Sequence, residues 1–284
     1  MMSKVLIMTD STADLSKELR EQLNILSIPL YVRFEDEIYL DGVDLSTEEL
    51  YHKVTEKNII PKTSAVSPGD FISFFGKYLT EGYELVYIGI GAKLSATHQS
   101  ALLAKDEVSS SRIHVIDSKN LSSGIALLVL KACDLRNLGK SASEIKLEIE
   151  ALVPNVRSQF AIQTLDYLHK GGRASGTAKL VGTILGIKPI IKVNNGALEV
   201  YKKPVGKMSR ALDLMLEDYF KEGENLDLDY VMITHSLANK QAIYMLEKIK
   251  EKTTPKHIIE SKAGCVISSH CGPGTIGLLY IVKS

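Results

Sequence analysis

Four short apolar runs, at residues 5–8, 25–32, 85–88 and 113–116, alternate with stretches of helical periodicity. Helices are expected over 13–23, from 46 into the segment around Leu50, over 67–79, over 94–108 and over 121–138. Strands separated by helices of this length form βαβ units, which place the strands parallel in one sheet and the helices on its faces. Ser46-Thr47-Glu48-Glu49 and Ser67-Pro68-Gly69-Asp70 supply the hydroxyl caps that open helices. A further helix over 143–152 ends at Pro154, where a domain boundary is expected. Beyond it the pattern changes. Asn194-Asn195-Gly196 separates apolar runs at 187–193 and 197–201, a hairpin signal because Asn-Gly tolerates the positive φ of a tight turn. Helices at 211–219 and 240–249, strands at 230–234 and 257–260, and apolar runs at 265–267 and 276–282 complete the chain. The expected fold is α/β in two domains: an N-terminal parallel-sheet α/β domain over 1–155 and a C-terminal α+β domain over 156–284. Segment 60–82 is a candidate to pack with the second domain.

Charge balance narrows the function. Lys and Arg together number 34, as do Asp and Glu, so the basic excess typical of nucleic-acid binding is absent. The three cysteines, Cys133, Cys265 and Cys271, show neither CxxC nor metal-site spacing, and no histidine pair has the HExxH arrangement. No metal is expected, and sparse thiols fit a reducing compartment. No signal-length apolar run precedes Asp10, so a cytoplasmic location is expected. The longest apolar stretch, residues 125–130, is far too short to cross a bilayer. Dealings with lipid would then start from solution, with room for transient membrane contact.

Three expected helix starts carry hydroxyls: Ser11 and Thr12, then Thr63 and Ser64 ahead of Ser67-Pro68, then Ser95 and Thr97 beside His98. Helix N-termini favour anions, because their first N–H groups lack partners and the dipole is positive there. Taken singly, each hydroxyl is better read as a helix cap. Their convergence at the carboxyl ends of parallel strands, where ligands bind open α/β sheets, points to an anion site. Gly89-Ile90-Gly91-Ala92-Lys93-Leu94 approaches a dinucleotide-binding turn, with Asp117 ending the next strand, but Leu94 stands where the third glycine belongs. Lys170-Gly171-Gly172-Arg173 offers a flexible turn and a guanidinium fork for a carboxylate or phosphate; an ordinary exposed arginine after a helix fits equally well. Ser269-His270-Cys271-Gly272-Pro273-Gly274 is expected to put His270 at a strand end, before a turn.

Seven ordered segments resemble the DegV family, and the likeness runs nearly end to end. They are Thr9-Asp10-Ser11-Thr12-Ala13-Asp14-Leu15, residues 62–71 from Lys62-Thr63-Ser64 to Gly69-Asp70-Phe71, Leu94-Ser95-Ala96-Thr97, Val115-Ile116-Asp117-Ser118, Leu168-His169-Lys170-Gly171-Gly172-Arg173, Gly186-Ile187-Lys188-Pro189-Ile190 and His270-Cys271-Gly272-Pro273-Gly274. The resemblance implies a carrier of one long-chain fatty acid, its carboxyl group at the interdomain cleft and its tail buried. It further implies a partner, the ATP-binding subunit of a bacterial fatty acid kinase, which phosphorylates the bound carboxyl to acyl phosphate for phospholipid synthesis. By position, Ser95 and Thr63 would hold the carboxylate, with Ser64, Thr97 and Ser11 in the same ligand-binding set. Arg173 and His270 would assist phosphoryl transfer. Gly91-Ala92 replaces a common Ser-Ser, Ala96 a usual glycine, and His98 a usual tyrosine.

The residues agree with that division of labour. The chain has no Walker A lysine loop and no Mg²⁺-binding carboxylate cluster in its sequence, so ATP would have to come from another subunit. No cofactor is expected beyond the fatty acid as ligand, and the chain is not expected to be an enzyme alone. Two other readings stand beside it: a lipid esterase with Ser95 as nucleophile and His270 as base, and a nucleotide-binding protein using Gly89 to Leu94.

Overall fold

The computed structural model describes residues 4–173 and 186–283. The first half contains strands β1 (Lys4–Asp10), β2 (Ile25–Ile28), β3 (Tyr31–Phe34), β4 (Glu37–Leu40), β5 (Lys62–Ser64), β6 (Tyr83–Gly89) and β7 (Ile113–Asp117). Four of them form an all-parallel sheet in the order β2-β1-β6-β7. The apolar run expected over 25–32 is broken by Pro29, which lacks the N–H a ladder needs, into β2 and β3. Strand β3 then joins β4 and β5 in a small antiparallel sheet, order β4-β3-β5.

Helices α1 (Lys17–Gln22), α2 (Thr47–Lys57), α3 (Pro68–Thr80), α4 (Thr97–Val108), α5 (Ser123–Asn137) and α6 (Ala142–Leu152) complete this half. The helix expected over 13–23 is shorter: a 3-10 turn at Ser11–Ala13 precedes α1, and Asp14 between them is left-handed, at φ 55°. Reciprocal Ser-to-acid capping boxes open α2, α3 and α6, satisfying N–H groups that the helix leaves unpaired.

The second half holds β8 (Val156–Ala161), α7 (Asp166–Lys170), β9 (Ile190–Asn194), β10 (Ala197–Lys202), α8 (Met208–Lys221), β11 (Leu226–Ser236), α9 (Asn239–Lys252), β12 (His257–Lys262), α10 (Cys265–Cys271) and β13 (Thr275–Val282). Its six strands run in the order β10-β9-β8-β13-β11-β12, all neighbours antiparallel except β11 and β12. The Asn195-Gly196 hairpin forms as expected, with φ of 46° and 79°. The run at 265–267 is helical instead: it opens α10, and His270 lies in that helix's last turn rather than at a strand end.

The two sheets share one core. Ile7, Val86 and Ile88 of the parallel sheet and Phe160, Met232 and Leu279 of the mixed sheet belong to the same apolar cluster, joined by α5. Ile125 to Leu130 are at most 1% exposed, so α5 is covered on every side. A helix that is apolar all round has to be buried in this way. Helices α8 and α9 cover the other face of the mixed sheet. Helix α3, α4 and the small sheet cover the other face of the parallel one, where Phe71, Phe75 and Tyr87 pack ring to ring. Leu128→Ala removes methyl groups from the shared core and is expected to lower unfolding free energy by about 2–5 kcal/mol. Urea unfolding followed by circular dichroism measures it, and a loss near zero would contradict the central placement of α5.

Candidate functional site

From adjacent strands β1 and β6, the sheet continues in opposite directions, to β2 on one side and β7 on the other. The loops at their carboxyl ends therefore part and leave a crevice, the usual ligand position in an open parallel sheet. Asp10, at the end of β1, ties these loops together. Its carboxylate accepts hydrogen bonds from Thr12 N (3.0 Å), Tyr87 Oη (2.8 Å) and Ile90 N (2.9 Å) and from the Thr12 hydroxyl. Burial raises its pKa, and these donors oppose the shift.

The crevice opens into a cavity of about 220 Å³ that runs between the parallel sheet, the start of α5 and the mixed sheet. Its interior is apolar, with Ile90, Leu94, Leu121, Phe160, Leu198 and Leu279 in its wall. Thr63, Ser64, Ser95, Arg173 and His270 also line it, grouped by the contact of His270 with Thr63 and the bond of Arg173 to Leu94 O. Five of the seven residues expected at the site thus line one cavity. The other two, Thr97 and Ser11, do not line it. Thr97 is fully buried behind Ser95, its hydroxyl 2.9 Å from Ser95 Oγ, which also accepts from Thr97 N. Ser11 turns inward, and its Oγ accepts from Leu30 N at 3.1 Å. Both hydroxyls brace the loops from behind.

His270 comes to the cavity because two carboxylates hold α10. Asp14 accepts from Gly264 N (2.8 Å) and Asp41 from Cys265 N (2.7 Å), pairing N–H groups that a helix start leaves free. Burial raises the pKa of both, that of Asp14 strongly. His270 Nε2 lies 2.8 Å from Thr63 Oγ1, while its Nδ1 is buried without a partner. Gly171 explains that fit: a Cβ at Gly171 would sit 2.1 Å from His270 Nδ1. The adjoining Gly172 takes a left-handed φ of 70°, so the turn needs both glycines for different reasons.

Arg173 emerges from this turn with its guanidinium fixed by backbone carbonyls. Nε donates to Leu94 O (3.2 Å) and Nη1 to Gly171 O (2.8 Å). Among the described residues no carboxylate forms an ion pair with it. Burial, helped by the positive charge of Arg173, pulls the His270 pKa down to about 4. The imidazole is neutral near pH 7, so Arg173 is the positive charge of this cluster.

The esterase arrangement is not assembled. Ser95 Oγ pairs with Thr97 and His270 with Thr63, so nucleophile and base are not bonded, and Nδ1 has no orienting carboxylate. The nucleotide reading fares no better, since Asp117 Oδ1 accepts from Ala92 N (3.1 Å) in the loop after β6 and from Lys119 N (2.9 Å) in its own loop. Among the described residues, no group of three or more His, Cys, Asp or Glu could hold a metal ion. No helix among them is long and apolar enough to cross a membrane. Sequence reasoning missed the far wall, including Ser122, Gln159, Thr234 and Gly277. Its residues lie in different elements and converge only through sheet packing.

Residues 4–283 match the profile described as "Uncharacterised protein, DegV family". The chain belongs to the DegV family. A DegV domain-containing protein of Clostridium acetobutylicum is 39% identical over 283 residues, covering 99% of this chain and all of the relative. A DegV-family protein of Thermus thermophilus, described as binding fatty acid, superposes with a TM-score of 0.92 at 30% identity, over 98% of this chain and 99% of that one. A stearic acid-binding protein of Eubacterium ventriosum superposes with a TM-score of 0.87 at 27% identity, over 99% of both chains.

The depressed His270 pKa has a signed consequence. The unfolded histidine titrates near 6.5, so between about pH 4 and 6.5 the unfolded state binds more protons. The stability this histidine lends is complete above that window and is lost as pH falls through it. A proton NMR titration of the His270 ring is expected to show a midpoint near 4; a midpoint near 6.5 would place the ring in water.

Proposed function

We propose that this DegV-family chain binds one long-chain fatty acid, holding its carboxylate at the cavity mouth and its tail in the apolar interior. The observation that carries this reading is the composition of the apolar cavity. Among the described residues, the Arg173 guanidinium with no paired carboxylate, the hydroxyls of Thr63, Ser64 and Ser95 and a neutral His270 share a wall otherwise mostly apolar. A buried carboxylate needs hydrogen bonds or a counter-charge, and this set provides both. The alkyl chain gains about 0.8 kcal/mol for each buried CH₂, so the tail supplies most of the affinity. The fatty-acid binding described for the Thermus and Eubacterium proteins supports the same choice of ligand.

On this reading the chain is a carrier rather than a complete enzyme. It consists of an N-terminal domain, residues 1–155, and a C-terminal domain, residues 156–284, with the carboxyl group between them. A cytoplasmic, ATP-binding kinase subunit docks over the mouth. A carboxylate oxygen attacks the γ-phosphorus of the partner's ATP, ADP leaves, and the acyl phosphate goes on to phospholipid synthesis. Arg173 offsets charge on the transferring phosphoryl group. His270 stays neutral and orients Thr63 and the carboxyl, because a carboxylate nucleophile needs no base. Ser11 and Thr97 act by positioning the loops that carry the direct contacts.

Mass spectrometry of lipid extracted from purified protein tests the carrier reading. A bound long-chain fatty acid is expected; folded protein that is empty and takes up none when offered would end it. Arg173→Ala is expected to weaken fatty-acid binding about 10- to 100-fold, the loss of hydrogen bonds to a charged group worth about 1.5–3 kcal/mol. Calorimetric titration measures the change, and undiminished affinity would remove Arg173 from the site.

A further inference from the structure

Beside the cavity lies a pair of bonded, buried side chains, Asn120 and Ser158, that do not line it. On the cavity's floor, Thr275, Gly277 and Leu279 face it at the two-residue spacing of a strand. Gly277 lies opposite Phe160 of β8, and Leu279 opposite Ser158. Phe160 lines the cavity, but Ser158, the next residue of β8 on that face, lines a neighbouring polar cleft of about 610 Å³, and Gln159 between them lines both. Asn120, Lys119 and Arg157 line that cleft as well, whereas Leu121 and Ser122, directly after Asn120, line the cavity. Ser158 Oγ donates to Asn120 Oδ1 at 2.8 Å, and the two residues are 4% and 3% exposed. This hydrogen bond spans the gap from the mixed sheet to the start of α5, between the apolar cavity and the polar cleft. Gly124 allows α5 to come so close, since a Cβ there would lie 2.1 Å from Asn120 Oδ1 and 2.7 Å from Ser158 Oγ.

Gly277 is the other unusual choice. Glycine weakens a strand interior and otherwise marks a bulge, a bend or the close approach of a ligand. Here the pairing with β8 and β11 runs in regular register through Gly277, and its φ is not left-handed. A Cβ on Gly277 would find its nearest neighbour, Leu279 Cδ1, at 3.2 Å, so alanine nearly fits and backbone crowding does not demand glycine. What remains is the space above the strand, which is the cavity itself.

We propose that the Asn120–Ser158 hydrogen bond is the end stop that limits the length of the bound acyl chain, and that Gly277 keeps the passage to it open. The proposal rests on the fatty-acid reading and adds its length selection. A chain long enough to pass the stop would strip the buried Ser158 hydroxyl of its partner, while Asn120 Oδ1 keeps Leu121 N, and would push its methyl end into a cleft lined by Lys119 and Arg157. That loss exceeds what one further methylene returns.

The test offers lipid-stripped protein an equimolar mixture of straight-chain saturated fatty acids of graded length and identifies the bound lipid by mass spectrometry. Circular dichroism confirms that each variant is folded. Ser158→Gly is expected to shift the bound lipid to longer acids, and Ser158→Ala, which keeps the strand's β-carbon, to shift it in the same direction. Each methylene newly accommodated raises the uptake ratio of longer over shorter acid about fourfold, equivalent to about 0.8 kcal/mol per buried CH₂. Gly277→Val is expected to shift the lipid to shorter acids or abolish uptake. An unchanged length distribution in the folded Ser158 variants overturns the end stop, and one unchanged in Gly277→Val overturns the passage. Wild-type protein that takes up no acid overturns the fatty-acid reading instead, a separate result.

Discussion

Helix α5 is the constraint on which the rest of the molecule depends. Its central residues are apolar on every face, so no single sheet can satisfy it. It is buried only if a second sheet closes over the side the first leaves bare, and that is the arrangement found. The exception is Lys131. Burial disfavours its charge, but Asp227 at 2.6 Å and Asp229 at 2.5 Å outweigh that cost and raise its pKa. Towards the other end, α5 is drawn onto the mixed sheet by Ser123 with Thr234 and by Asn120 with Ser158. The cavity is the volume left where the start of α5 meets the two sheets.

The buried carboxylates serve the same closure. Asp10, Asp14 and Asp41 come from the first half, and burial raises the pKa of all three. Asp14 also takes the Ser122 hydroxyl, linking the loop after β1 to the start of α5. Together with the Asp14 and Asp41 bonds to α10, this makes the acidic motif at residues 10–14 a structural clamp between the halves. The cavity's chemistry is consequently left to residues whose own bonds are few: Arg173, Ser64, Thr63 and His270.

Much of this was legible in the sequence, and the gaps have physical causes. The parallel sheet was readable because its strands fall in compact apolar runs that alternate with mostly longer helices. The small sheet was not, since β4 and β5 span only four and three residues. The α10 segment, Cys-Val-Ile-Ser-Ser-His-Cys, is too short and too apolar at its start for periodicity to separate helix from strand. Its serines fit a helix only because they bond back to the chain, Ser269 Oγ to Cys265 O and Ser268 Oγ to Ala263 O. Hydroxyls at the expected helix starts gather around one cavity, some lining it and some behind it. Which of them face the ligand side depended on rotations that sequence does not encode, so Ser11 and Thr97 proved to be braces while Thr63, Ser64 and Ser95 line the cavity.

Electrostatics connects that geometry to the carrier reading. The guanidinium of Arg173 is oriented by two carbonyls, dipoles that fix its direction without cancelling its charge. The neighbouring imidazole stays neutral because burial and Arg173 both disfavour a second cation. The guanidinium, the one Lys or Arg that lines the cavity among the described residues, matches a monoanion such as a carboxylate. On the proposed pathway an acyl phosphate carries more negative charge and a bulkier head than the acid it came from. The same mouth is then less complementary to the product than to the substrate, which favours handing the product on over keeping it.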